Sequence, residues 1–282
     1  MTVSTATLVN GEPADVVPVS DRGLLYGDGV FETITIRDGR PSHWPRHMHR
    51  LHAGCARLGI QPLESALLTA EAESIINDTD HGVLKLIVTR GSGGRGYRVP
   101  ESVVCTRIMQ LHPWPDYPAA CSQEGVRIRL CETRLGRNPA LAGIKHLNRL
   151  EQVLARQEWD DADIREGLLL DTDGSLVEGT MSNVFIISDG VLMTPDLSQC
   201  GVAGIMRTLV LELAEQQGLD PRIVPVGQEA LVRADEVFLT NSLIGIWPVI
   251  ALGETTWRKG GITMQLQKQL NNNSNAGSGW RE

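Results

Sequence analysis

Four Xaa-Gly steps, Asn10-Gly11, Asp38-Gly39, Asp173-Gly174 and Asp189-Gly190, interrupt runs rich in Val, Ile and Thr. Asn-Gly and Asp-Gly pairs reach the left-handed backbone that a tight turn between antiparallel strands requires. This punctuation limits the possible folds more than any other feature of the 282 residues. "TLVNGEPADVV" reads as two short strands about the first turn, and "GVFETITIRDGRP" as a β-rich run closed by the second. "GLLLDTDGSLVEGTMSNVFIISDGVLMTP" reads as three strands joined by the last two. A repeated strand–helix–strand alternation is absent, which argues against a doubly wound parallel sheet.

Helical spacing appears between these runs. "WPRHMHRLHAGCARLGI" places Met48, Leu51, Cys55 and Leu58 on one stripe, and "ESALLTAEAESIIND" is a second amphipathic segment. "HLNRLEQVLARQEW" is expected to be a helix with Leu147, Leu150, Val153 and Leu154 as its apolar side. "GIMRTLVLELAEQQG" is a helix ended by a glycine. Strands are expected at "GVLKLIVTRG", "SVVCTRIMQLH", "VRIRLCETRL", "RIVPV", "EVFLTNSL" and "IWPVIAL". The aperiodic, Pro-rich "HPWPDYPAACSQEG" marks a domain boundary. The division is an N-terminal α+β domain over 1–112, a linker over 113–121 and a C-terminal domain over 122–282 carrying Lys145 and Glu178. The low-complexity tail, 271–282, is expected to be disordered.

Charge and cysteine usage exclude several classes. A net charge of −8 argues against general attraction to nucleic acid or anionic membrane. The start shows no basic segment followed by an apolar core, so no secretory signal is expected. "IGIWPVIALG" is too short to span a bilayer. Five scattered cysteines without a CxxC pair suggest buried, reduced thiols in a cytoplasmic protein. His43 and His47 stand at i,i+4 with His49 beside them, but no acidic residue lies nearby in sequence. Surface or capping histidines are expected there, and no metal site.

Several residues are candidates for chemistry. Lys145, in "GIKHLNR", is one of four lysines among 26 basic residues. Small residues precede it and a helix is expected after it. The positive end of that helix, with partial burial, would favour the neutral, nucleophilic amine. Glu178, in "LVEGTMSNVF", is a carboxylate at a strand end among apolar residues and needs a cationic or hydrogen-bonding partner. A protonated pyridine nitrogen would serve. "GVAGIMRTL" leads into a helix whose free N–H groups at Ile205 and Met206 can cradle a phosphate. Arg50 and the hydroxyls of Thr240 and Ser242 are compatible phosphate ligands. Arg95, in "GSGGRGY", can bind a carboxylate from a flexible loop. That loop lies between two strands, so a dinucleotide-binding reading fails on context. Each of these residue types also serves commonly as structure.

Taken in order, these segments resemble the fold-type IV pyridoxal phosphate enzymes. "DRGLLYGDGVFETI" is similar to the family's N-terminal motif, and "HMHRL" to the segment whose Arg binds phosphate, here Arg50. "IKHLNRLEQVLARQEW" is similar to the Schiff-base lysine segment, with Lys145 as that lysine. "VEGTMSNVF" resembles the strand whose Glu holds the pyridine nitrogen, here Glu178. "GVAGIMR" resembles the phosphate-binding helix start, with the amides of Ile205 and Met206. "VFLTNSLIGIWPV" resembles the strand completing the phosphate cup, with Ser242 and Asn241. The resemblance implies an α+β, two-domain fold, a small N-terminal α/β sandwich followed by a larger pseudo-barrel β domain with helices. It implies bound pyridoxal 5'-phosphate, a small-molecule substrate and a homodimer. "RGSGGRGY" and "RLGRNPALAGIKHLNRLEQVL" resemble the aminodeoxychorismate lyase branch more than the transaminases. That branch implies conversion of 4-amino-4-deoxychorismate to 4-aminobenzoate and pyruvate, with Lys145 moving the proton, Thr33 as a possible relay and Arg95 on a substrate carboxylate. A D-amino acid or branched-chain transaminase is the alternative, and a noncatalytic pyridoxal-phosphate-binding protein the second.

Overall fold

The computed structural model describes residues 6–276 apart from 62 and 78, together with Trp280. It divides into two compact units, Met1–Pro115 with Ile144–Asn148 and Ala276–Glu282, and Asp116–Gly143 with Arg149–Asn275. Lys145 therefore falls with the first unit and not, as the linear division had it, with the second. Phe31 donates its backbone N–H to the Lys145 carbonyl, and Leu147 donates to that of Gly29, drawing this short segment onto the first unit.

The first unit contains β1 (Ala6–Val9), β2 (Glu12–Pro13), α1 (Arg22–Tyr26), β3 (Gly29–Arg37), β4 (Arg40–Pro41), α2 (Trp44–Leu58), α3 (Ser65–Ile76), β5 (His81–Thr89) and β6 (Thr106–Pro113). Its sheet runs β2-β1-β6-β5-β3-β4 with every pair antiparallel. At Asn10-Gly11 and Asp38-Gly39 both turn residues have positive φ, the conformation expected of two-residue hairpins. Alternate residues of β3 and β5, among them Val30, Ile34, Leu84 and Leu86, pack with Met48, Leu51 and Cys55 of α2 and Leu68 and Ala72 of α3. The strand expected from Ser102 begins only at Thr106. Helix α1 was not anticipated. Asp21 caps it by accepting from Gly23 N–H, and Gly27 ends it in a left-handed conformation.

The second unit contains α4 (Ala120–Gln123), β7 (Val126–Leu135), α5 (Leu150–Arg156), β8 (Ile164–Asp171), β9 (Ser175–Gly179), β10 (Asn183–Ser188), β11 (Val191–Pro195), α6 (Ile205–Gln216), β12 (Arg222–Val224), β13 (Val226–Gly227), α7 (Gln228–Arg233), β14 (Glu236–Asn241), β15 (Gly245–Leu252), β16 (Thr255–Thr256) and α8 (Gly261–Ala276). The sheet order is β12-β11-β10-β14-β15-β7-β8-β9-β13, with β16 on β15. It curls until β9 approaches β10 and β11, a nearly closed barrel. Three pairs are parallel, β11 with β12, β15 with β7 and β7 with β8, the last joined through α5.

Both faces of the central strands are covered, so they read as continuous apolar runs. On β10, Val184 and Ile186 enter one core with Leu168 and Leu170, while Phe185 and Ile187 enter another beneath α6 and α8. Helix α5 corrects the sequence reading. It is only seven residues long, and Leu150, Val153 and Leu154, expected to be its buried side, are exposed. Ala155 is the residue that packs inward, against Cys131, Leu135 and Leu169. The expected three-strand run is four strands, because residues 180–182 turn the chain between β9 and β10. The tail expected to be disordered from 271 is helical through Ala276; residues 277–279, 281 and 282 lie outside the described residues.

Helix α8 buries Leu266 and Leu270 against Phe238, Phe185 and Ile246. Leu266→Ala is expected to lower stability by about 2–5 kcal/mol, read as a shifted urea midpoint. An unchanged midpoint would remove α8 from the core.

Candidate active site

In the first unit the site residues gather around β3. Its alternation sends Val30, Glu32, Ile34 and Ile36 to one face, and Glu32 is a carboxylate in an otherwise apolar row. The acid is held by two residues one turn apart on α2. Arg50 donates from Nε to Glu32 Oε1 at 2.8 Å and from Nη2 to Oε2 at 2.5 Å. His47 Nδ1 lies 2.7 Å from Oε2. Burial pushes the Glu32 carboxyl up, but the Arg50 charge, its hydrogen bonds and His47 outweigh this and bring it down to about 2. A carboxylate that stays ionised can only accept, so His47 Nδ1 carries the proton it shares. Burial lowers the His47 pKa; Glu32 opposes that shift, and the Arg50 and Lys145 charges add to it. The expectation of a surface or capping histidine is thus wrong for His47, whose acidic partner is distant in sequence.

Lys145 lies beside the same strand. Its Nζ is 4.4 Å from the centre of the Phe31 ring, within cation–π range. The preceding Ile144 is buried against Gly54 of α2, where an added Cβ would crowd Val30 and Ile144. The expected helix field does not act on Lys145, because α5 starts five residues later, at Leu150. Thr33 is half-buried and pairs across the sheet with Lys85. Arg95 is exposed on the loop joining β5 to β6. That loop is fastened from beneath: Arg22 donates to the carbonyls of Gly96 and Tyr97, and Gly96 N–H donates to the Tyr26 hydroxyl. Arg22 and Arg90 in turn share Asp28.

The second unit assembles another set. Glu178 is buried at the end of β9 and accepts from Val202 N–H at 2.8 Å. Gln152 Nε2 of α5 is 3.5 Å from its other oxygen. Burial lowers the Arg149 pKa, while the charges of Glu178 and then Glu151 hold it up. After β9 the chain turns around Glu166, which accepts from Thr180 N–H, the Thr180 hydroxyl, Met181 N–H and the Ser182 hydroxyl. This buried acid, absent from the sequence candidates, sets the turn that follows Glu178.

Helix α6 follows Gly204, its N-cap, and its first N–H groups, those of Ile205 and Met206, have no acceptor within the helix. A Cβ at Gly204 would overlap the Asn183 side-chain oxygen, so glycine is needed for the approach. Thr240 is fully buried and gives its hydroxyl to the Gly245 carbonyl. Asn241 accepts from Leu243 and Ile244 N–H and donates to the Met181 carbonyl, so its side chain braces the turn carrying Ser242.

All five cysteines are buried and unbridged. Among the described residues, no group of three or more His, Cys, Asp or Glu is placed to hold a metal, and no helix is long and apolar enough to cross a membrane.

The first unit thus carries an amine beside an aromatic face and a clamped guanidinium, and the second a buried carboxylate and a glycine-led helix start. The chain belongs to the amino-transferase class IV family, which it matches over residues 29–252. Among its relatives, it is 37% identical to the aminodeoxychorismate lyase of Vibrio harveyi over 93% of this chain and 98% of that one. It is 32% identical to the D-alanine aminotransferase of Bacillus licheniformis over 91% of each. Its fold is similar to that of the 4-amino-4-deoxychorismate lyase from Pseudomonas aeruginosa, with a TM-score of 0.91 and 51% identity, covering 94% of this chain and 98% of that one.

As pH falls below 6.5, the unfolded chain takes up a proton at His47 before the folded one does. Glu32 adds the same effect between 4.5 and about 2. Both therefore remove stability on acidification. His47→Asn, which keeps a donor for Glu32 but does not titrate, should flatten the fall just below pH 6.5 in thermal melts. An unchanged slope would show that His47 does not titrate as described.

Proposed function

We propose that this chain is a pyridoxal-phosphate-dependent carbon–oxygen lyase that converts 4-amino-4-deoxychorismate to 4-aminobenzoate and pyruvate. Identity of 37% to the Vibrio harveyi lyase and 51% to the Pseudomonas aeruginosa lyase, each over more than nine tenths of the chain, against 32% to the D-alanine aminotransferase, carries the reading.

The residues present fit the cofactor. Glu178 is a buried acceptor suited to a protonated ring nitrogen. The N–H groups of Ile205 and Met206 suit phosphate oxygens, with Arg50 and the Ser242 hydroxyl as further ligands. Lys145 is the amine that bonds the cofactor aldehyde. When bound, pyridoxal 5'-phosphate supplies an electron sink conjugated to the substrate amine. Released from that bond by the incoming substrate amine, Lys145 Nζ would remove the proton at substrate C4. As the C–O bond to the enolpyruvyl group breaks, the ring becomes aromatic and Lys145 returns the proton to the departing fragment, which leaves as pyruvate. Thr33 relays protons on the same strand as Phe31, and Arg95 meets a substrate carboxylate. The enzyme acts in the cytoplasm as a homodimer. Buried, unbridged cysteines support the compartment, and the exposed Leu150, Val153 and Leu154 support association.

Purified protein given 4-amino-4-deoxychorismate should release fluorescent 4-aminobenzoate and an equal amount of pyruvate. No release, with brisk amino transfer from D-alanine or a branched-chain amino acid to a keto acid, would replace the lyase with a transaminase. Borohydride should fix the cofactor to the wild-type protein and not to Lys145→Ala. An adduct in the variant would move the covalent link to another residue.

A further inference from the structure

The Glu32 cluster has a direction. Side-chain exposure is 1% for His47, 1% for Glu32 and 15% for Arg50, so Arg50 is the member of the cluster nearest the surface. The strand alternation calls for an apolar side chain at position 32, between Val30 and Ile34. Packing alone would be served as well by such a residue, since buried ion pairs contribute little net stability compared with a hydrophobic replacement. What the acid does there is hold one edge of Arg50, through Nε and Nη2, with both oxygens. His47, three residues earlier on α2, holds Oε2 as well, the oxygen that Arg50 Nη2 also engages.

We propose that Glu32 and His47 are positioning residues for Arg50, presetting the angle at which its guanidinium meets the phosphate ester of the cofactor. This rests on the reading of Arg50 as a phosphate ligand given above. A guanidinium on a flexible stem loses rotamer freedom when it binds an anion; one clamped beforehand loses less. Glu32 takes two of the five Arg50 donors and sets the plane in which the others lie. His47 restrains the carboxylate, so the pair cannot rotate as a unit. A comparison pair exists in the same unit, where Arg107 forks onto Glu71 and ties β6 to α3. That pair is structural bracing, and its loss should affect stability alone.

The test compares affinities for pyridoxal 5'-phosphate and for pyridoxal, which lacks the phosphate, by equilibrium dialysis. Glu32→Gln should weaken binding of the phosphate ester about thirtyfold, while pyridoxal changes little. In an Arg50→Ala background the same substitution should have no further effect. His47→Leu should weaken the phosphate ester selectively and His47→Asn should restore it. Glu71→Gln should lower the melting temperature without altering the ratio of the two affinities. Equal losses for both ligands, an unchanged ratio, or full additivity with Arg50→Ala would overturn the proposal. Should Glu32→Gln not fold, the two His47 variants decide on the same ratio. Wild-type protein that binds neither ligand would overturn the cofactor reading and this proposal with it. Wild type that binds both, with variants that leave the ratio alone, would overturn only the proposal.

Discussion

A carboxylate without water around it must be surrounded by donors already fixed in place, and three of the buried acids bear on the candidate site. Glu32, Glu166 and Glu178 are each nearly inaccessible. The two whose donors are most fully defined take them from different sources. Glu32 draws on one face of α2, through His47 and Arg50. Glu166 draws on the backbone and hydroxyls of the turn at 180–182. Each acid fixes a short segment by the penalty that would follow if the segment moved. Glu178 lies just before the Glu166 turn, and its acceptance from Val202 N–H ties it to the loop leading into α6. Part of the site's rigidity is therefore a consequence of charge burial within each unit.

The hairpins provide the frame on which these acids are held. At Asn10-Gly11, Asp38-Gly39 and Asp189-Gly190 both turn residues adopt positive φ. Asp173-Gly174 differs. Only Gly174 is left-handed, and Asp171 Oδ1 accepts from Asp173 and Ser175 N–H, giving a three-residue loop. Its extra residue accompanies a register shift between β8 and β9, where Leu169 faces Glu178 but Leu170 faces Leu176. Turn chemistry thus helps set where Glu178 sits along its strand.

Sequence motifs single out Lys145, Arg50, Glu178 and the α6 start as candidates because the family pattern names them, but they do not show how each is held. Glu32 was detectable as a charge at an inward position of "VFETITI". Its partners were not, since His47 and Arg50 approach through α2 packing on the sheet. The apolar side of α5 was misassigned for a related reason. Periodicity identifies an apolar stripe but not what faces it, and here a small residue, Ala155, permits close packing while Leu150, Val153 and Leu154 point outward.

The local sequence by itself determined the antiparallel hairpins, the long amphipathic helices α2, α3 and α6, and the family pattern. Those depend on backbone conformational preference and on periodicity over a few residues. Tertiary structure alone decided the three parallel strand pairs, the residence of Lys145 with the first unit, and the donors around each buried acid. All of these join residues far apart in the chain, where the energy lies in excluding water from a shared interior, and no short stretch of sequence records that.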